Sequence, residues 1–202
     1  MDYVEASSML DKYGIRSIES RYVSSAEQAV KFAGSSPIVM KVLSGKALHK
    51  SRSGLVKLDL RGKEEIGRAF AELEKKAKSL SPYKIIAQKM AGKGIEVIIG
   101  GKTDEQFGKT ILLGLGGIYV EVFKDFSLRI CPIRQIDAKE MISQLKSGDV
   151  ITYNGKNAKM LEELLMKVSK LLSANDRIAE LDLNPVILRE DGYDVVDIRI
   201  LK

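Results

Sequence analysis

The sequence is poor in the residues that build disulfide frameworks and clustered metal sites. Its 202 residues include one cysteine, Cys131, one histidine, His49, and no tryptophan. A single cysteine excludes a disulfide framework and any cysteine-based zinc site, and it suits a reducing compartment. A single histidine excludes a metal site that is built from several histidines. These absences predict a cytoplasmic protein without cysteine or histidine metal clusters.

Long apolar runs are also missing. The longest uncharged apolar stretch, residues 110–120, is too short to span a bilayer. The first five residues carry two acidic side chains and no basic one, which is unlike a secretory signal. Hydrophobic residues make up 45% of the chain and charged residues 30%, as in soluble globular proteins. We therefore expect no membrane association.

The charge balance favours anionic partners. Thirty-three Lys and Arg residues exceed 27 Asp and Glu residues, which gives a formal net charge of +6. Nucleotides, phosphates or an acidic protein face would suit such a chain. The basic residues are spread along the sequence, however, and no nucleic-acid motif interleaves them with aromatic residues. Nucleic acid is therefore not an expected partner.

The pattern of elements indicates an α+β fold. Apolar stripes with helical periodicity occupy residues 26–33, 66–77 and 161–172, and shorter helices are predicted at Val4–Lys12 and Asp137–Leu145. Strand-like runs lie in clusters between the helices, which favours largely antiparallel sheets over a doubly wound parallel sheet. These runs are Ile38–Val42, Leu55–Leu60, Lys84–Met90, Ile95–Gly100, Thr110–Leu115, Tyr119–Val122, Ser127–Ile130, Ile178–Leu188 and Tyr193–Ile200. A composition break at residues 91–94 predicts two lobes, residues 1–90 and residues 91–202.

The C-terminal hairpin is the most informative stretch. A two-residue turn at Asp191-Gly192 predicts that Asn184 lies opposite Arg199 and that Asp197 is diagonal to Asn184. Asp182, Asn184 and Asp197 then share one face, because side chains two residues apart point the same way. Two carboxylates and an amide oxygen are hard ligands that suit Mg²⁺ bound together with phosphate oxygens. The alternative is a solvated strand face with no ligand.

Other unusual residues have an ordinary interpretation when taken singly. Lys41 and Glu96 each interrupt an apolar strand, either as rim residues or as groups that meet a ligand. The glycines around Gly116 and Gly117 could bring backbone N–H groups to a phosphate or could simply form a turn. His49 lies in a polar loop, where a solvated histidine is the ordinary interpretation. Neither a P-loop nor a dinucleotide-binding glycine motif is present.

In combination these segments resemble the ATP-grasp fold, and specifically the nucleotide-binding β subunit of ADP-forming acyl-CoA (acetyl-CoA) synthetases. The resemblance covers almost the whole chain and implies two lobes that clamp a nucleotide between largely antiparallel sheets. Its most specific segments are the glycine segment that leads to Glu121 and the Glu-Leu-Asp-x-Asn-Pro segment. The segments that carry the resemblance are Glu96–Gly100, Gln106–Gly108, Gly114–Val122, Arg129 with Pro132-Ile133, and Glu180–Pro185.

The resemblance implies roles for individual residues. Those implied to bind the nucleotide are Lys41 at the phosphates, Gln88, Lys89 and Met90 against adenine, Glu96 at the ribose, and Gly116 and Gly117 near the phosphates. Asn184 and Asp197, with Asp182 beside them, are implied to hold Mg²⁺. His49 matches a His-Lys-Ser segment whose histidine carries a phosphoryl group in the family, and Arg129 is implied to steady that group.

The implied activity interconverts acyl-CoA, ADP and phosphate with acid, CoA and ATP. The chain carries no CoA-binding fingerprint, so a partner α subunit is expected to supply one, in an α2β2 heterotetramer. Three features depart from the family pattern: Arg52 replaces an acid, Leu55 replaces a glycine, and residues 149–155 lack an arginine-glycine loop. Two alternatives therefore stay open, a degenerate module that binds nucleotide and regulates a partner, and an ATP-grasp ligase that forms an acyl phosphate directly.

Overall fold

The structure, a computed structural model, describes residues 1–44, 54–117 and 125–202. In the first part of the chain the elements are α1 (Tyr3–Lys12), β1 (Ser20–Val23), α2 (Ala26–Ala33), β2 (Ile38–Leu43), β3 (Val56–Leu60), α3 (Gly62–Ala77) with a 3-10 turn (Lys78–Leu80), and β4 (Lys84–Lys89). The second part contains β5 (Ile95–Asp104), β6 (Gly108–Leu115), β7 (Phe126–Ile130), α4 (Gln135–Ser143), α5 (Gly148–Ile151), α6 (Ala158–Ser173), β8 (Glu180–Leu188), β9 (Tyr193–Val195) and β10 (Ile198–Leu201).

The chain forms two compact units, residues 18–90 and residues 1–17 with 91–202. One boundary coincides with the predicted break between residues 90 and 91. The first 17 residues, however, belong to the unit of residues 91–202, whereas the sequence analysis assigned them to the first lobe. Hydrogen bonds explain this membership, because the N-terminal ammonium donates to Ile200 O at 3.0 Å and the Tyr3 hydroxyl donates to Val196 O at 3.4 Å.

The unit of residues 18–90 has a four-stranded antiparallel sheet in the order β1-β4-β2-β3. Helices α2 and α3 bury their apolar stripes against one face of it. Ser25 caps α2, since its hydroxyl accepts from Gln28 N at 3.3 Å. The predicted stripe of α3 is confirmed, and its buried members are Ile66, Ala69, Phe70, Leu73 and Ala77.

The other unit is built on a six-stranded sheet in the order β10-β8-β5-β6-β7, with β9 also paired to β8. The pairs formed by its described strands are antiparallel, with one isolated parallel bridge between Ser17 and Val195, so the predicted α+β fold with largely antiparallel sheets is confirmed. Helices α4 and α6 cover one face. The predicted stripe of α6 is fully buried, namely Leu161, Leu164, Leu165, Val168, Leu171 and Leu172. None of the helices in the described ranges is long and apolar enough to cross a membrane.

The register of the C-terminal hairpin differs from the prediction. Tyr193 pairs with Leu188 and not with Glu190, so residues 189–192 form a four-residue loop. Arg189 holds this loop, because its N–H donates to Gly192 O at 2.9 Å and its guanidinium pairs with Asp194. The predicted two-residue turn is therefore wrong. Because the shift is two residues, each side chain keeps its predicted face of the sheet.

Candidate functional site

The corrected register brings Asn184 directly opposite Asp197. These two residues lie between the pairs Leu183–Ile198 and Val186–Val195, and Asn184 N donates to Asp197 O at 3.3 Å. Cα atoms of directly opposed residues are about 5 Å apart. The sequence analysis expected a longer, diagonal relationship. The structure therefore sets these two side chains closer together than the predicted register did.

Asp182 joins the same face of the sheet, and Arg199 is its partner in register. Burial raises the pKa of the Asp182 carboxyl, the nearby charges of Asp197 and Glu180 raise it further, and Arg199 opposes them. Three carboxylates on one patch repel one another when no cation lies between them. The electrostatics of this face therefore favour a bound cation.

The donor set fits Mg²⁺ better than a transition metal. The described part of the chain contains no group of three or more His, Cys, Asp or Glu side chains with the geometry to hold a metal by themselves. Magnesium is usually held by one or two carboxylates and takes its remaining ligands from phosphates and water. Asp197 and Asn184, with Asp182 beside them, provide such a partial set of oxygen ligands.

Glu96 contacts the glycine turn on the same sheet. Gly116 N donates to Glu96 O at 2.7 Å, and a Cβ atom on Gly116 would lie 2.8 Å from the Glu96 carbonyl carbon. At Gly117 the backbone has φ +71°, and an added Cβ would lie 3.2 Å from Glu96 Oε2. Only glycine allows this close approach without displacement. The structure thus brings together Glu96, Gly116 and Gly117.

Glu96 and Asn184 face the same side of the sheet. Glu96 pairs with Ile187, and a bulge follows at Asn184-Pro185 opposite Ile98. Glu96 and Asn184 are therefore two to three residues apart along the strands, or roughly 7 to 10 Å. Gly100, which the sequence analysis did not assign, lies opposite Asp182 and leaves space over this part of the face. A glycine inside a strand is the signal that could have identified it.

In the other unit, Lys41 and Gln88 share the sheet face that turns away from α2 and α3. Val39 pairs with Gln88 and Lys41 pairs with Ile86, so the lysine and the glutamine are diagonal neighbours. Lys41 is only 8% exposed, and Gln88 Nε2 donates to Ser20 Oγ at 2.9 Å. A buried ammonium group on an apolar strand is strongly attracted to an anion. The structure therefore brings together two of the four residues predicted at the nucleotide in this unit.

Lys89 does not share that face. Its ammonium group donates to the carbonyl oxygens of Phe32 at 2.9 Å and Ala33 at 3.0 Å, and it lies 5.0 Å from the centre of the Phe32 ring. It thereby caps the C-terminus of α2, where a cation is stabilising. The structure therefore does not bring the Lys89 side chain together with Lys41 and Gln88. Met90 follows the end of β4 and is partly exposed.

Arg129 likewise lies away from the carboxylates. It is on the helix-covered face of β7, where its guanidinium donates to Gln144 Oε1 at 3.0 Å and pairs with Glu140 at 3.4 Å. Ser127, on the same face, donates to Met141 O in α4. The alternation along β7 therefore turns Arg129 towards α4 and away from the face of Asp182. Here Arg129 joins a sheet to a helix, and the structure does not bring it together with Asp182, Asn184 and Asp197.

Two further predictions concern loops. His49 and Arg52 lie in residues 45–53, outside the described residues, as does the predicted strand Tyr119–Val122. The segment 149–155 forms most of α5 and a turn in which Tyr153 and Asn154 adopt positive φ angles. The Tyr153 hydroxyl donates to Leu188 O at 3.0 Å. This segment therefore supports the C-terminal hairpin.

Comparison with known sequences gives matches along the whole chain. The family profile described as "ATP-grasp domain" matches residues 1–201. The chain is 37% identical to "Acetate--CoA ligase [ADP-forming] I subunit beta" of Pyrococcus furiosus, over 98% of this chain and 89% of that protein. It is also 37% identical to "Acetate--CoA ligase [ADP-forming] I" of Archaeoglobus fulgidus, over 96% of this chain but only 30% of that longer protein.

Solved structures give the same result. A chain of the dinucleotide forming acetyl-coenzyme A synthetase 1 of Ca. Korarchaeum cryptofilum superposes with a TM-score of 0.85 and 35% identity, over 100% of this chain and 92% of that chain. That structure is described as a complex with coenzyme A and Mg-AMPPCP, with its phosphohistidine segment pointing towards the nucleotide binding site.

Proposed function

The chain belongs to the ATP-grasp domain family, and from that premise we propose that it is the nucleotide-binding subunit of an ADP-forming acyl-CoA synthetase. The reaction interconverts acyl-CoA, ADP and phosphate with the free acid, CoA and ATP. Acetate is the acid named in the Pyrococcus furiosus relative. The observation that carries the proposal is the common face of Asp182, Asn184 and Asp197 in a chain similar to these ligases over almost its whole length.

The metal-binding part of the proposal rests on oxygen donors. Asn184 and Asp197 would hold Mg²⁺ through their side-chain oxygens, with Asp182 beside them. When bound, Mg²⁺ neutralises charge on the phosphate oxygens of the nucleotide. The mutual repulsion of the carboxylates on this face supports the assignment, because a cation relieves it.

The remaining residues would bind and orient the nucleotide. Glu96, beside the glycine turn, would accept hydrogen bonds from the ribose hydroxyls, and Gly116 and Gly117 would let the backbone approach the phosphates. Lys41 would contribute a positive charge to the phosphates. Gln88 and Met90 would lie against adenine, whereas the Lys89 ammonium group is already engaged at the end of α2.

We assign the phosphoryl relay to His49. In the direction that uses ATP, a ring nitrogen forms a bond to the γ-phosphorus as the bond to the leaving ADP oxygen breaks in line. The phosphoryl group then passes to the acid on the partner, and CoA displaces phosphate to give acyl-CoA. The assignment rests on the His-Lys-Ser sequence at residues 49–51. It is consistent with the phosphohistidine segment named for the Ca. Korarchaeum cryptofilum structure.

A CoA-binding α subunit completes the proposed enzyme. The similar protein of Pyrococcus furiosus is named a subunit, and the Archaeoglobus fulgidus relative is a longer chain of which this domain matches 30%. We propose an α2β2 assembly and a cytoplasmic location, where ATP and CoA are available. Light scattering of the reconstituted complex measures the stoichiometry directly.

A second candidate is a degenerate module that binds nucleotide and regulates its partner without transferring phosphate. Arg52 and Leu55, which depart from the family pattern beside His49, favour it. Both candidates predict that ADP binds with Mg²⁺. Only the enzymatic proposal predicts acyl-CoA-dependent synthesis of ATP, and the similarity to named ligases favours that proposal.

The decisive experiment uses the chain with its partner subunit and γ-labelled ATP. We expect acid-labile label on the wild-type chain and on the control Ser51→Ala, and none on His49→Asn. Turnover of His49→Asn should fall by at least about a thousandfold, as when other covalent nucleophiles are removed. Normal turnover in His49→Asn would refute the relay. Absence of activity in the wild-type complex, with ADP binding intact, would favour the regulatory module.

A further inference from the structure

Strand β7 carries its apolar side chains on the solvent-exposed face of the sheet and not on the face that the helices cover. Phe126, Leu128 and Ile130 are 57%, 50% and 53% exposed, whereas Ser127 and Arg129 between them face α4. A strand on a helix-covered sheet normally turns its apolar residues towards the helices. This inversion leaves three large apolar side chains in a row, which marks an interaction surface.

In the described ranges, no further strand lies along the outer side of β7. Among the described residues β7 pairs with β6 alone and forms one edge of the sheet. Leu115 N donates to Asp125 O, and Cys131 N donates to Lys109 O. The backbone N–H and C=O groups of the odd-numbered residues of β7 therefore point towards β6. The N–H groups of Phe126, Leu128 and Ile130 therefore point away from the sheet. Natural edges are usually protected by charges or proline. Here the Arg129 guanidinium donates to Leu128 O at 2.9 Å, whereas the side chains of Phe126, Leu128 and Ile130 carry no charge.

The exposed side chains of Phe126, Leu128 and Ile130 (the apolar row) lie on the same sheet face as Asp182 and Asp197. Leu128 pairs with Leu112, Leu112 with Gly100, and Gly100 with Asp182, so one line across the sheet joins the apolar row to the candidate metal site. Three strand spacings make this distance about 14 Å. A strand docked on the edge of β7 would lie four strand spacings, or about 19 Å, from Asp182.

We propose that the edge of β7 docks an extended apolar segment of the CoA-binding partner chain by strand addition. This inference rests on the proposed function, in which the phosphoryl group must leave this chain for the partner. In the Archaeoglobus fulgidus relative this domain is part of a much longer polypeptide. When the domain is a separate chain, the part that corresponds to the rest of that polypeptide has to be held by a non-covalent surface. Strand β7 offers apolar side chains and backbone N–H groups that point away from β6.

The test compares Leu128→Lys with the control Leu58→Lys, which adds the same charge to an exposed strand leucine (64%) in the other unit. The probe is the CoA-binding chain of the same organism, identified by its similarity to the part of the Archaeoglobus fulgidus protein that this chain does not match. Calorimetric titration should give a dissociation constant for Leu128→Lys raised by at least about tenfold, as for a central interface residue, and an unchanged constant for Leu58→Lys.

Hydrogen exchange of the wild-type complex gives an independent measurement. Amides of residues 126–130 should exchange more slowly when the partner is bound, because outward N–H groups become hydrogen-bonded. Equal affinity of Leu128→Lys and wild type, or a complex without added protection at β7, overturns the docking surface. A dimer of the chain alone that Leu128→Lys dissociates also overturns it, in favour of self-association. Failure of the wild-type chain to bind the partner refutes the proposed function instead, so the two failures are distinct.

Discussion

Asn184 in β8 lies opposite Asp197, which joins β9 to β10, and the amide N–H of Asn184 donates to the carbonyl oxygen of Asp197 at 3.3 Å. The backbone bond fixes the separation of the two side chains, because both strands belong to a sheet whose other face is buried. The two side chains are thus held close together, as the proposed Mg²⁺ site requires. Asp182 adds a second carboxylate two residues before Asn184.

Asp197→Asn should weaken nucleotide binding in the presence of Mg²⁺. The variant removes one of the two carboxylates next to Asn184 and leaves the backbone pairing intact. Loss of even an outer-shell partner weakens metal affinity about 10- to 100-fold, so we expect at least a tenfold weaker affinity for ADP with Mg²⁺. Calorimetric titration measures it. Asp176→Asn is the control, since Asp176 is an exposed carboxylate in a loop. Equal affinities of Asp197→Asn and wild type would contradict the metal assignment.

Asp182→Asn should stabilise the metal-free protein at neutral pH. Burial and the charges of Asp197 and Glu180 raise the pKa of Asp182, so the folded state favours the protonated carboxyl. The ionised carboxylate therefore costs stability above its raised folded pKa, and this cost disappears as the pH falls below the ordinary value of 3.8. The advantage of the variant should shrink in the same direction.

Urea unfolding of Asp182→Asn and wild type across a pH series, without divalent cations, checks this expectation. Added Mg²⁺ and ADP should then stabilise the wild type more than the variant, because a bound ligand stabilises the state to which it binds. Glu163→Gln, a change at an exposed helical residue away from the sheet, serves as the control. A variant less stable than wild type at neutral pH would contradict the electrostatic account.

The sequence was sufficient for elements whose signal is local. The stripe of α6 and the alternation that sets Asp182 and Asn184 on one face both depend on residues within a few positions of each other. The hairpin loop could not be predicted in this way. Its length depends on Arg189, whose backbone oxygen accepts from Asn157 Nδ2 at 2.8 Å, a contact 32 residues distant in sequence.

The position of Arg129 shows a second limit of the sequence. The alternation of apolar and polar residues along β7 is clear, but alternation alone does not say which face the helices cover. The usual expectation would bury Phe126, Leu128 and Ile130. The structure buries the other face instead, because Ser127 and Arg129 find hydrogen-bond partners on α4. Partners distant in sequence decide such a choice.

Arg129→Ala should lower stability and leave turnover nearly unchanged. The guanidinium bonds Glu140 on α4 and Gln144 directly after it, and a charged hydrogen bond of this kind contributes about 1 kcal/mol or more to the free energy of unfolding. Urea unfolding measures the loss, and the reconstituted synthetase assay measures turnover. Gln144→Ala is the matched control, since it removes the partner and should cost a similar amount. A collapse of turnover with unchanged stability would instead support the predicted catalytic role of Arg129.

Lys89→Met should destabilise the chain without a large effect on ADP affinity. The variant keeps the aliphatic length but removes the ammonium group that bonds Phe32 O and Ala33 O at the end of α2. A cation in this position contributes about 0.3–1 kcal/mol, and the lost hydrogen bonds increase the cost. Lys89→Arg should retain most of the stability. Should Lys89→Met lose ADP affinity at unchanged stability, the side chain would belong to the adenine site after all.

Gly116→Ala should be strongly destabilising, in contrast to Gly67→Ala. A Cβ atom on Gly116 would lie 2.8 Å from the carbonyl carbon of Glu96 and 3.0 Å from Val97 N, so the turn or the strand would have to move. Overpacking of this kind costs about 1–3 kcal/mol. Gly67 lies inside α3 with nothing within 4 Å of an added Cβ, and alanine there should stabilise the helix by up to about 1 kcal/mol.

Thermal unfolding of the two glycine variants and titration with ADP separate stability from binding. Because Gly116 contacts the backbone of Glu96, its alanine variant should also weaken ADP binding, whereas Gly67→Ala should bind as wild type does. The proposed ribose contact of Glu96 requires this coupling. If Gly116→Ala were destabilised and yet bound ADP with wild-type affinity, the contact between Glu96 and the glycine turn would have only a structural role.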